Sequence, residues 1–263
     1  MYKLSKLISV SLTLLLLFTL MPTISVTKLT YAESPSSNKQ ICANEENCFV
    51  LDAEKGIVEI YNHNNKIISQ FNPAPKVQSF PPTPVDIQCD NENIFVLDQK
   101  AKSIFVFDTK GKFEKTIPDC HLYLNNPTSF QVKNNMFYVA DNQNIFTIDK
   151  KGILSDKKSL PSVNGVKPIV TGIVYNKELF AVTNSSQINE WNGYRKEWND
   201  PVCRLGQNEG NFLDISAVAF NENGYVFDTT KNAFFMYNNV LKTWTLLDEL
   251  TFSNVTDCFI QGA

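Results

Sequence analysis

A tandem repeat of about 44 residues governs what this chain can fold into. Its clearest copy, PTPVDIQCDNENIFVLDQKAKSIFVFDTKGKFEKTI, occupies residues 82–117, and four others lie at 41–71, 126–160, 170–198 and 215–247. Asp52, Asp98, Asp141, Thr183 and Asp228 close the second apolar segment of each copy and stand 46, 43, 42 and 45 residues apart. Every copy contains four short apolar segments rich in Val, Ile, Phe and Tyr, separated by Asn, Asp, Gly and Lys clusters. That pattern belongs to β-strands rather than helices. Four strands repeated every 40–45 residues describe the blades of a β-propeller. A sandwich would not require turn residues to align from one unit to the next.

The second copy shows the pattern most fully: a proline, an apolar strand, an Asn turn, aromatic-Val-x-Asp, a polar loop, then SIFVFDTKGKF. This resembles NHL-type repeats. The last copy, with MYNNVLKTWTLL at 236–247, is also similar to the third and fourth strands of kelch repeats, without their paired glycines. The resemblance spans 41–260 and implies an architecture. It leaves function open, because propellers serve as hydrolases, lyases, lectins and protein-binding platforms.

Residues 1–32 precede the repeats. Lys3 and Lys6 are followed by an uncharged apolar run at 7–26 and a polar patch ending in Thr30-Tyr31-Ala32. This is the pattern of a secretory signal peptide cleaved after Ala32, with a retained signal anchor as the competing reading. No lipidation motif precedes the first cysteine, Cys42. The expected organisation is a signal at 1–32, a tail at 33–40 and a single propeller at 41–263. The product is secreted or extracytoplasmic, with no stable membrane insertion after cleavage.

Beyond the signal, 231 residues carry 21 Lys and Arg against 27 Asp and Glu, a balance of −6. Arg195 and Arg204 are the two arginines, so the basic footprint that phosphate binding requires is missing and nucleic acid is not an expected partner. Division by the period yields five blades and a remainder. Residues 255–260 align with the first strand of a repeat, and nothing after them supplies further strands. The expectation is therefore an all-β propeller of about five four-stranded blades, its C-terminal strand closing the ring in or beside blade one. Exposed sheet edges invite aggregation, and closure covers them.

The six cysteines allow 15 pairings, and none forms a CxxC motif. Cys258 lies in the closing strand, whereas Cys42 and Cys48 lie in the first blade. A bridge from Cys258 across the seam is one expectation, and a local Cys42–Cys48 bridge is its rival.

The recurring Asp could suggest a ring of carboxylates, but a strand-terminal Asp ordinarily accepts N–H bonds from the neighbouring loop. The aromatics Tyr61, Phe107, Trp191 and Tyr237 share a repeat position suited to packing between blades. His63 and His121 are the two histidines, and no nucleophile elbow, zincin motif or phosphate loop occurs. No cofactor is expected.

The connections within blades are short, while those between blades, at 72–83, 118–126, 161–169 and 199–214, are long. These long loops share one face, where binding residues concentrate on a rigid scaffold. Candidate binding residues on that face are Lys76, Phe80, His121, Tyr123, Arg204, Gln207 and Glu209. The expected activity is recognition of an extracellular or cell-surface protein or glycan. The alternative is a lactonase-like or lyase-like exported enzyme, calcium-dependent through the isolated inner-strand acids Asp86 and Asp257.

Overall fold

A computed structural model describes residues 29–33, 39–64, 66–75, 82–175, 178–185, 187–199, 215–220, 224–228, 233–238, 243–248 and 255–260. Most of residues 1–32, expected to form an export signal, together with Lys76, Phe80, Cys203, Arg204, Gln207 and Glu209, lies outside the described residues.

The strands in chain order begin with β1 (Leu29–Glu33). Blade one holds β2 (Lys39–Ala43), β3 (Asn47–Asp52), β4 (Ile57–Asn62) and β5 (Ile67–Phe71). Blade two holds β6 (Pro84–Cys89), β7 (Asn93–Asp98), β8 (Ser103–Asp108) and β9 (Phe113–Thr116). Blade three holds β10 (Pro127–Lys133), β11 (Met136–Asp141), β12 (Asn144–Asp149) and β13 (Leu154–Ser159). Blade four holds β14 (Val170–Tyr175), β15 (Leu179–Thr183), β16 (Ile188–Asn192) and β17 (Glu197–Trp198). Blade five holds β18 (Ile215–Phe220), β19 (Gly224–Asp228), β20 (Ala233–Asn238) and β21 (Thr243–Asp248), and β22 (Val255–Ile260) follows. Each blade is a four-stranded antiparallel meander in sequence order.

The expected propeller is present. The first strands of the blades lie side by side in the order β2, β6, β10, β14, β18, and β22 completes the circuit between β18 and β2. Closure differs in one respect from expectation. Strand β22 occupies its own place in the ring and pairs antiparallel with β1, Leu29 opposite Ile260 and Tyr31 opposite Cys258. A second strand for the seam thus comes from residues 29–33, which overlap the stretch expected to be removed with the signal.

The core lies between blades. Phe49, Leu51 and Ile60 of blade one pack on Ile87, Val96 and Phe107 of blade two, and Phe95 and Val106 of blade two pack on Phe130 and Val139 of blade three. Middle strands are covered on both faces, which is why NIFVLD and SIFVFD are nearly continuous apolar runs rather than alternating ones. Fourth strands face water and carry charge, as in FEKT and LSDKKS, which discourages edge-to-edge pairing. Phe107 is wholly buried, whereas Tyr61 and Trp191 are half-buried at the margin of the same packing. The side chain of Tyr237 lies outside the description.

The recurring Asp fastens loops. Buried Asp98 accepts the N–H of Thr83, from the loop entering its blade, and of Ala101, from the following turn, each at 2.7 Å. Asp141 likewise accepts the N–H groups of Asn125 and Asn126. Asp52 accepts the Lys55 N–H at 3.0 Å and the Lys55 ammonium at 2.8 Å. Each carboxylate satisfies donors that would otherwise be stranded beside the core.

Two hairpin glycines sit where blades touch. Gly111 has φ +85° against the Phe71 ring, and Gly152 has φ +82° against the Pro118 carbonyl. Both need the left-handed backbone and the missing side chain.

Strand register also removes one expected disulfide. Cys42 stands opposite Phe49, while Cys48 stands opposite Ala43 and Tyr61. Directly opposed residues share a sheet face and neighbours along a strand alternate, so Cys42 and Cys48 point to opposite faces. A bridge between them would require a change of register.

Candidate binding groove

The face carrying the long loops also carries the turns between second and third strands, and in blade three the two meet. The N–H of Leu160 donates to the Gln143 carbonyl at 2.9 Å, and that of Val170 to the Asn142 carbonyl at 2.7 Å. Both ends of the 161–169 connection are thereby tied to the turn between β11 and β12. Within the loop, Val163 and Val166 exchange two backbone bonds of 2.9 Å, making a small bridge that stands off the surface. Asn142 takes a left-handed conformation, φ 54°, and its side-chain amide donates to Asp141 at 2.6 Å.

Between loop and turn lies an open groove of about 520 Å³. Asn142, Gln143 and Asn144 form one side, Lys157 and Ser159 of β13 another, and Lys167, Pro168 and Ile169 the third. The Ser159 hydroxyl donates to Asn144 Oδ1 at 2.6 Å, fixing which face of that amide is presented. Gln143 Oε1 is shut off from solvent and has no donor among the described residues, a costly state for a buried acceptor.

Lys157 and Lys167 line the groove, whereas Lys158 of β13 does not. Lys158 is paired with Asp156, whose carboxyl its ammonium holds below the usual range, and it also sits 5.2 Å from the Trp191 ring centre. Lys157 rests its ammonium 5.5 Å from the Phe146 ring centre, which orients it without neutralising it. Neither Lys157 nor Lys167 has a carboxylate within ion-pair reach among the described residues. On an acidic protein these two exposed cations create a local positive field beside amides and a hydroxyl. Ile169, exposed at the rim, adds an apolar contact.

Of the seven residues expected to bind, five lie outside the described residues. His121 is exposed on a short 3-10 turn between blades two and three. Tyr123 on the same turn is half-buried against the core of those blades, so it covers the blade ends rather than presenting a surface. Neither lines the groove. The face was legible from loop lengths, but the groove residues were not singled out. The signal available was the run Asn142-Gln143-Asn144, an amide cluster at the turn facing the named 161–169 loop.

Asp86 has a structural task. Its carboxylate accepts the Ile87 N–H at 2.7 Å, the Ser129 hydroxyl at 2.8 Å and the Phe130 N–H at 2.7 Å, pinning β6 to β10. Burial pushes its pKa up to about 6, against the opposing pull of those donors. Among the described residues no cluster of three or more His, Cys, Asp or Glu side chains gathers in a way that could hold a cation.

No protein-family model matches the chain, and neither does any curated protein. Among solved structures it is similar to a structural genomics protein of unknown function from Bacteroides thetaiotaomicron VPI-5482. The superposition has a TM-score of 0.64 at 12% identity and covers 88% of this chain. The chain spans 66% of that protein's length, just under two thirds. At this identity the likeness concerns the fold alone.

Proposed function

We propose that this protein is an exported, NHL-like propeller that binds an acidic glycan in the groove between blades three and four. The observation that carries the reading is the placement of Lys157 and Lys167 beside the run Asn142, Gln143 and Asn144. Cations attract a carboxylate or sulfate, amides and a hydroxyl recognise sugar hydroxyls, and the Ile169 rim accepts the apolar face of a ring. Shallow, solvent-open sites of this kind suit polymer recognition better than enclosed chemistry. The signal-like residues 1–32 support an encounter outside the cytoplasm.

The test is an array of acidic and neutral glycans probed with the purified chain at low and high salt. Acidic glycans should bind, binding should weaken with salt, and the Lys157→Ala/Lys167→Ala double variant should lose about tenfold or more in affinity at unchanged melting temperature. Retention of full affinity by the double variant, or binding of neutral glycans alone, would overturn the reading. A protein partner captured independently of these lysines would do the same.

A further inference from the structure

Inner strands of neighbouring blades meet at a repeated register position. In blade three, Gln131 stands opposite Tyr138, three residues before Asp141; in blade four, Tyr175 stands opposite Leu179, four residues before Thr183. The two touch, because the Tyr175 N–H donates to Gln131 Oε1. In blade one, the Gln131 position is held by Cys42, opposite Phe49, three residues before Asp52. In blade two, the Tyr175 position is held by Cys89, opposite Ile94, four residues before Asp98. The ring geometry that joins Gln131 to Tyr175 therefore brings Cys42 beside Cys89, both of them free thiols in this structure.

We propose that Cys42 and Cys89 form a disulfide that ties blade one to blade two along the inner strands. Among the cysteines whose side chains are described, no other partner fits Cys42 as well. Cys48 points to the opposite face of the same sheet, and Cys120 is wholly enclosed in the core between blades two and three. Cys42 is only 2% exposed, whereas Cys89 is half-buried and can be reached from solvent. Burial pushes the Cys42 thiol well up, and the neighbouring Cys89 sulfur adds to this, so Cys42 is the poorer attacking group.

The oxidant is a small-molecule or protein disulfide. The Cys89 thiolate attacks one of its sulfurs, forming a mixed disulfide and releasing one thiol. Cys42 then gives up its proton and attacks the Cys89 sulfur, releasing the second thiol. Two protein thiols lose two electrons and two protons, and the external disulfide becomes two thiols. The bridge closes a long segment, from 42 to 89, which is where a cross-link restricts the unfolded chain strongly.

Full-length protein equilibrated with oxidised glutathione, alkylated and digested without reduction provides the test. A peptide linking Cys42 to Cys89 should dominate. Reduction should lower the melting temperature by about 5–10 °C in the wild type and leave Cys89→Ser unshifted. Finding Cys42 linked to Cys48 or Cys258, or finding Cys42 and Cys89 both alkylated as thiols after oxidation, would overturn the proposal. These peptides are read whether or not the Cys89→Ser variant folds.

Discussion

Asp86 on β6 accepts the backbone N–H of Phe130 on β10 at 2.7 Å, an ionisable group used as a rivet between two blades. The Ser129 hydroxyl adds a second bond to the same oxygen. Because both partners belong to the next repeat, the carboxylate stabilises an assembly of blades rather than one sheet.

This rivet makes stability depend on pH. Burial raises the folded-state pKa from 3.8 to about 6, so between those values the folded chain holds a proton that the unfolded chain has released. The contribution of this group is therefore largest below about pH 4, declines as pH rises to about 6, and stays constant above, a loss on the order of 2–3 kcal/mol. Urea unfolding of wild type and Asp86→Asn from pH 4 to 8 isolates it. The difference between the two proteins should change by that amount below pH 6.5 and level off above it; a difference independent of pH refutes the assignment.

Alanine substitutions at three glycines should separate two costs. Gly56 has φ +62° with open space around it, so alanine there should cost about 1 kcal/mol of left-handed strain. An added methyl at Gly111 would come 2.3 Å from the Phe71 ring, and one at Gly152 would come 2.0 Å from the Pro118 carbonyl oxygen. A ring can turn aside more easily than backbone can shift. Denaturant midpoints should fall in the order Gly56→Ala, Gly111→Ala, Gly152→Ala, the last costing about 3 kcal/mol or more. Equal effects at all three positions would contradict the contacts.

Two aspartates offer a second comparison. Asp108→Ala removes bonds of 3.0 and 2.8 Å to Lys110 and Lys112 in an exposed hairpin, where water replaces them. Asp98→Ala strands the Thr83 and Ala101 N–H groups beside the core. The first should cost under about 1 kcal/mol and the second about 2–4 kcal/mol. Hydrogen exchange should accelerate at Thr83 and Ala101 in Asp98→Ala; unchanged exchange there would disprove the fastening role.

The blade pattern was readable because every unit presents the same problem to the chain. Strands covered on both faces must be apolar throughout, and turns between tightly stacked sheets need Asn or Gly, so the period survives even where residues differ. The fastening role of Asp52, Asp98 and Asp141 was readable for the same reason. The groove was not, since Lys157 and Lys167 are ten positions apart in sequence and meet Asn142–Asn144 only after a loop folds back on a turn. The meeting of Cys42 with Cys89 was hidden similarly: it depends on the offset between neighbouring inner strands, which no single repeat encodes. Strand β1 escaped notice because an apolar leader and an edge strand draw on the same residue types.

Pairing of β1 with β22 also sets a timetable. A chain made from its N-terminus can stack its blades in order of synthesis, each finding its predecessor already folded. Residues 29–33 must instead wait for residues 255–260, so among the described strands their pairing spans the greatest sequence separation and is among the last to form. Until then the inner strand of blade one lacks a neighbour on one side. The period during which this protein is most open to wrong partners is thus set by how quickly residues 255–260 arrive.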